Sequence, residues 1–140
     1  MIRESSSEDI DSIMQIWLES NNEAHFFVPE EYWKQNFDSV KEAVSEGVTL
    51  FEEDGIVKGF IGIIDGYIAG IFVKKDSRSC KIGKRLLDEV KRRYDSLELD
   101  VYLENTQAIK FYEREDFKIV KKQVNEDTGF EECHMDWKRF

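Results

Sequence analysis

The stretch Ile71-Phe72-Val73-Lys74-Lys75-Asp76-Ser77-Arg78-Ser79-Cys80-Lys81-Ile82-Gly83-Lys84-Arg85-Leu86-Leu87 changes character twice within a few residues. Ile71 to Val73 is apolar and reads as the end of a strand, and a polar loop follows it. From Lys81 to Tyr94 the apolar residues Ile82, Leu86, Leu87 and Val90 fall on one face and mostly charges on the other, which predicts an amphipathic helix. The first N–H groups of a helix lack intrahelical partners, and the helix dipole is positive there. With Arg78, Lys81 and Lys84 beside it, this strand-loop-helix junction is a candidate anion site for a phosphate-bearing ligand. The other reading of the same charges is an ordinary solvated helix face. Neither Gly-x-x-x-x-Gly-Lys-Ser/Thr nor Gly-x-Gly-x-x-Gly is present, so nucleotide hydrolysis and hydride transfer lose support.

Upstream, Ile2 to Glu4 reads as a short strand, and Ser7-Glu8-Asp9 as the capped, acidic start of a helix whose stripe is Ile10, Ile13, Met14 and Trp17. A second helix follows the only proline, Pro29, and Gly47 ends it. Val48 to Val73 is strand-rich and punctuated by Asp54-Gly55 and Asp65-Gly66, which predicts three antiparallel strands. Downstream, Leu97, Leu99, Val101 and Leu103 alternate with Glu98, Asp100, Tyr102 and Glu104 as in a strand. Asn105 to Glu115 reads as a short helix, and Phe117 to Val124 and Phe130 to Trp137 as a closing strand pair joined through Thr128-Gly129. The order β-α-α-β-β-β-α-β-α-β-β describes one α/β domain over residues 1–140 with a mixed sheet.

The composition agrees with a packed domain: 41% of the residues are hydrophobic and 13% aromatic. No run approaches the ~20 apolar residues of a membrane span, and the N-terminus carries no apolar signal core, so a soluble cytoplasmic protein without membrane partners is expected. Cys80 and Cys133 stand alone, which argues against a metal site or a disulfide framework. The net charge is −10. Between Lys74 and Arg93 nine basic residues face three acidic ones, a local +6 that leaves −16 for the rest. The acidic balance disfavours nucleic acid and suits a cationic, amine-bearing partner.

The junction, together with Asn105-Thr106-Gln107-Ala108-Ile109-Lys110-Phe111-Tyr112, resembles the GNAT superfamily of acyl-CoA-dependent N-acetyltransferases over essentially the whole chain. It is similar to the small bacterial members that include protein-lysine acetyltransferases. The resemblance implies a GNAT-type acyl-CoA N-acyltransferase fold, with a mixed central sheet of about seven strands flanked by about four helices. It implies acetyl-CoA as cosubstrate, no metal, and direct transfer of acetyl to a primary amine on a protein or a small cation. Arg78-Ser79-Cys80-Lys81-Ile82-Gly83 matches the family's Arg/Gln-x-x-Gly-x-Gly/Ala loop, with Lys81 in place of the first glycine. By resemblance, these residues and Lys84 hold the cofactor pyrophosphate. The backbone of Ile71, Phe72 and Val73 orients the thioester, Asn105 contacts the cofactor arm, and Tyr112 protonates or hydrogen-bonds the departing thiolate. Asp116 stands where the family often has glycine, at a left-handed turn that Asp tolerates better than most residues. The alternative from another class is a non-catalytic acyl-CoA-binding or regulatory GNAT-like module. A homodimer is compatible with either reading.

An alkyl amine with pKa near ~10.4 lies roughly 4.6 kcal/mol from its nucleophilic form at pH 7, so a base is useful. Asp100, twelve residues before Tyr112, is the first candidate, since some protein-acetylating GNAT members carry a carboxylate there; Glu104 is the second. Either can instead be solvated or structurally paired. Full proton transfer from a phenol near ~10 to a thiolate near ~8.5 is uphill by roughly 2 kcal/mol, so the role expected of Tyr112 is a hydrogen bond to the thiolate unless its surroundings shift its pKa. His25, Phe26 and Phe27, between the first two helices, are candidates for the acceptor wall, although a lone His is more often a packed or capping residue. Packing is also the expectation for His134 and Trp33.

Overall fold

The computed structural model describes residues 1–139, apart from the side chain of Ser79. Phe140 lies outside them. Strand β1 (Ile2–Glu4) is followed by α1 (Ile10–Ala24), α2 (Glu30–Ser45), β2 (Thr49–Glu53), β3 (Ile56–Ile64) and β4 (Tyr67–Val73). Then come α3 (Ile82–Lys91), β5 (Ser96–Tyr102), α4 (Thr106–Arg114), β6 (Lys118–Val124) and β7 (Glu131–Lys138). The order of helices and strands is the one the sequence predicts. Short 3-10 turns at Ser7–Asp9 and Lys75–Cys80 lead into α1 and α3. The first helix is therefore capped one residue earlier than expected: Ser6 and Asp9 form a capping box ahead of it. The third begins at Ile82 and stops at Lys91, three residues short of Tyr94.

The seven strands form one sheet in the order β1-β2-β3-β4-β5-β7-β6. Both early hairpins turn through positive φ at two successive residues, 53° and 76° at Asp54-Gly55 and 50° and 83° at Asp65-Gly66. That is the twist a two-residue hairpin needs. The β4–β5 contact is the parallel one in an otherwise antiparallel sheet, and its registered pair is Tyr67 with Glu98. Beyond that pair the two strands run on toward their C-terminal ends without further registered pairing among the described residues, so a seam opens in the sheet.

Each face of the sheet carries its own core. Leu86, Leu87 and Val90 of α3, all fully buried, pack on Ile61, Ile68, Leu97, Leu99 and Met135. On the other face Ile13, Met14 and Trp17 of α1 and Trp33 of α2 pack on Leu50, Phe60 and Tyr102. Burying each such side chain stabilises the fold by roughly 1.5–3 kcal/mol. The period-2 alternation of β5 sends Leu97, Leu99 and Val101 into the α3-side core, while Tyr102, on the opposite face, joins the other core.

Candidate active site

The loop after β4 ends at Lys81, which sits at φ 60° and ψ 26° immediately before α3. A side chain in this left-handed conformation costs roughly 1–2 kcal/mol, which gives the family's glycine at that place a conformational reason as well as a steric one. Asp116 likewise has φ 72°, as its position in a left-handed turn requires. Gly83 stands in the first turn of α3. A Cβ built there would meet Ile71 Cγ2 and Phe111 Cζ at 3.7 Å each, ordinary contact, so internal packing does not demand glycine.

Asn105 caps α4, its side-chain oxygen accepting a hydrogen bond from the Ala108 N–H at 3.3 Å. Tyr112 follows seven residues later, two helical turns, and so presents its side chain on the same face as the cap. Its ring packs edge-on against Phe111 and Phe117 at 5.2 and 5.4 Å. Burial pushes its phenol above the ordinary value of 10.0. The phenol is therefore a poorer proton donor in full transfer than free tyrosine but a standing hydrogen-bond donor at neutral pH.

These pieces converge on a cavity of about 490 Å³ at the seam. Ile71, Phe72 and Val73 of β4, Lys81, Gly83 and Lys84 at the start of α3, Arg78, Asn105 and Tyr112 all line it. Nine of the expected cofactor residues thus share one hollow. Ile82 does not; it is buried in the core beneath α3, as the apolar stripe of that helix demands. Cys80 is exposed and also lies off the cavity wall. The side chain of Ser79 is outside the described residues. Two of the lining cations are already paired: Arg78 with Glu23 of α1, and Lys84 with Glu115 at 3.0 Å and Asp88 at 3.4 Å. The carboxylates raise the Lys84 pKa, keeping it a cation.

His25 lines the same cavity. Its ring stacks on Trp33 with centroids 5.4 Å apart and meets Tyr102 edge-on at 4.9 Å. Burial lowers its pKa from 6.5 to about 4. Phe26, by contrast, is 78% exposed, and Phe27 joins a cluster with Tyr102 and Phe130. Neither reaches the cavity wall. Asp100 lies on the β5 face that carries Tyr102, where its carboxylate meets Tyr67 Oη at 2.8 Å, His134 Nδ1 at 2.8 Å and Gln123 Nε2 at 3.3 Å. His134 is thus a polar partner of Asp100 as well as a packed residue. Glu104 departs from the expectation: β5 ends at Tyr102, and Glu104 is exposed in the turn before α4 instead of continuing the strand face.

Asn21, Gln107, Arg114 and Glu115 also line the cavity and were not anticipated. Helical spacing carried the signal for each. Asn21 is four residues before His25, Phe111 follows Gln107 by four, and Arg114 and Glu115 follow Phe111 by three and four. Among the described residues no helix is long and apolar enough to cross a membrane.

Comparison with known proteins agrees with this geometry. The family described as "Acetyltransferase (GNAT) domain" matches residues 6–139. The peptidyl-lysine N-acetyltransferase YiaC of Escherichia coli (strain K12) is 34% identical over 140 residues, covering 98% of this chain and 96% of its own. The peptidyl-lysine N-acetyltransferase YjaB of the same organism is 28% identical over 131 residues, covering 91% of this chain and 88% of its own. The solution structure of apo-form YjaB from Escherichia coli superposes with a TM-score of 0.85 at 23% identity, covering 100% of this chain and 98% of that one. The chain, in which the strand-loop-helix junction at α3, the Asn-capped α4 with Tyr112 and the β4 end all line one cavity, thus belongs to the GNAT family of acetyltransferases.

Proposed function

We propose that this chain transfers the acetyl group of acetyl-CoA to the side-chain amine of a protein lysine, and that the cavity at the β4–β5 seam receives the cofactor. The observation that carries the reading is the convergence of the α3 start, Asn105 and Tyr112 on that one cavity. The residues fit the group: the donors at one end are the first-turn N–H groups of α3 with Lys81, Lys84 and Arg78, suited to a pyrophosphate, and Ile71, Phe72, Val73, Ala108 and Phe111 give the cavity an apolar stretch beside them. Acetyl-CoA supplies an acyl group activated as a thioester. Arg78 and Lys84 leave Glu23 and Glu115 to face the phosphates. The backbone of Phe72 and Val73 orients the thioester and polarises its carbonyl, with no side-chain chemistry required.

Asp100 is the proposed base, acting through a water. Three donors surround it, and a carboxylate has about four lone-pair sites, so one remains for that water. The amine proton leaves toward Asp100 as the amide bond forms, and Tyr112 hydrogen-bonds the thiolate as the carbon–sulfur bond breaks. Two observations support lysine as the acceptor: the names of the relatives at 34% and 28% identity, and the carboxylates Glu98, Asp100 and Glu132 on the β5 and β7 side of the seam. The test is free-thiol release from acetyl-CoA over a panel of lysine peptides and polyamines. Turnover of lysine peptides is expected; turnover confined to polyamines would overturn the lysine assignment. Tyr112→Phe should lower kcat at least tenfold while leaving the Kd for CoA within about twofold. An unchanged kcat removes Tyr112 from the mechanism.

A further inference from the structure

We propose that His25 is a positioning residue that holds the Asn105 amide with one N–H group aimed into the cavity, tying the loop between α1 and α2 to the end of β5 across the seam; this rests on the acetyl-CoA reading above. The argument is proton accounting along one chain of contacts. Asn21, buried in α1, donates from Nδ2 to the Trp17 carbonyl at 2.9 Å, which leaves its Oδ1 as an acceptor. That oxygen lies 3.0 Å from His25 Nδ1, so Nδ1 carries a proton. With a pKa of about 4 the ring is neutral near pH 7, and Nε2 then has only a lone pair to offer. Asn105 Nδ2, 3.2 Å away, donates to it.

Asn105 Oδ1 is meanwhile committed to the Ala108 N–H, the cap of α4. With its oxygen and one amide hydrogen used, Asn105 retains one hydrogen, and both His25 and Asn105 line the cavity. The side chain is therefore locked as a donor to a ligand carbonyl, such as those of the amide-bearing arm of coenzyme A. The lock is rigid because the ring cannot turn. Trp33 lies against its face, and Tyr102 and Phe27 meet it edge-on at 4.9 and 5.9 Å; Tyr102 is the ionisable group among these neighbours, and burial keeps it neutral. A proton on Nε2 would set two donors face to face. Asn105 would then have to flip and give up the α4 cap.

Two measurements test this. In the unliganded protein, nitrogen-15 NMR of the two histidines, assigned by difference with His134→Gln, should find His25 with its proton on Nδ1 from pH 6 to 8. A proton on Nε2, or titration of the ring in that range, overturns the proposal without any reference to activity. The second is a double-mutant cycle read as the calorimetric Kd for acetyl-CoA. His25→Phe, which keeps an aromatic ring but no hydrogen bond, and Asn105→Ala should each weaken binding about tenfold, and the pair should be no more than about twofold weaker than either alone. Effects that multiply, or a Kd unmoved by His25→Phe, overturn it. Tight acetyl-CoA binding without turnover of any amine would overturn the catalytic reading and leave the cycle decisive for His25. No acetyl-CoA binding by the wild type overturns both.

Discussion

Gly83 separates what the fold needs from what the ligand needs. Its Cβ position is free of close contact, and alanine is a better helix residue than glycine, so Gly83→Ala should raise thermal stability by a few tenths to about 1 kcal/mol. The methyl group would occupy the space above the first turn of α3, where the pyrophosphate is proposed to sit, and should raise the KM for acetyl-CoA severalfold. Melting curves and a cofactor titration on the same variant check both halves. A stabler variant with an unchanged KM would move the pyrophosphate elsewhere. Lys81 shows the converse case: its sequence position identified the loop, but the left-handed φ of 60° belongs to the junction between a 3-10 turn and a helix and is invisible to composition or period.

Among the elements, α4 does two jobs through one residue. Asn105 caps the helix and faces the cavity, so Asn105→Ala should cost about 1 kcal/mol of stability and weaken acetyl-CoA binding together. Asn105→Ser keeps a capping oxygen but has no amide hydrogen; it should restore most of the stability and little of the affinity. Recovery of both would mean that the cap alone matters. The element order was legible because its cues are local. Asp54-Gly55 and Asp65-Gly66 announce hairpins, Pro29 and Gly47 bracket α2, and Leu86, Leu87 and Val90 mark the buried face of α3. The partners of Asp100 were not legible. His134 sits opposite it only because β7 inserts between β5 and β6, a pairing that no local pattern encodes. Glu104 was misread for a related reason: strand alternation gives no sign of where the turn that caps α4 must begin.

Over the whole molecule, the α3-side core spans the seam and side-chain ties supplement it. β1 to β4 and β5 to β7 share the registered pair Tyr67–Glu98, and the contacts Tyr67–Asp100 and His25–Asn105 bridge the same divide. The second tie is sensitive to acid. His25 titrates at about 4 in the folded protein against 6.5 when free, so between those values the unfolded chain binds more protons than the folded one. Stability is then fully present above pH 6.5 and falls as the pH drops toward 4, by up to about 3 kcal/mol. Asp9, which Arg3 holds well below the usual carboxylate range, gives way only in more acid solution, outside this window. Denaturant unfolding at pH 7.0, 6.0, 5.0 and 4.5 should therefore show a steeper loss for the wild type than for His25→Phe, the difference growing below pH 6.5. Parallel losses in the two proteins would mean that the buried imidazole does not govern the acid stability of the seam. A wild-type loss that also coincides with weakened acetyl-CoA binding would place proton uptake at His25 and release of the Asn105 amide in one event.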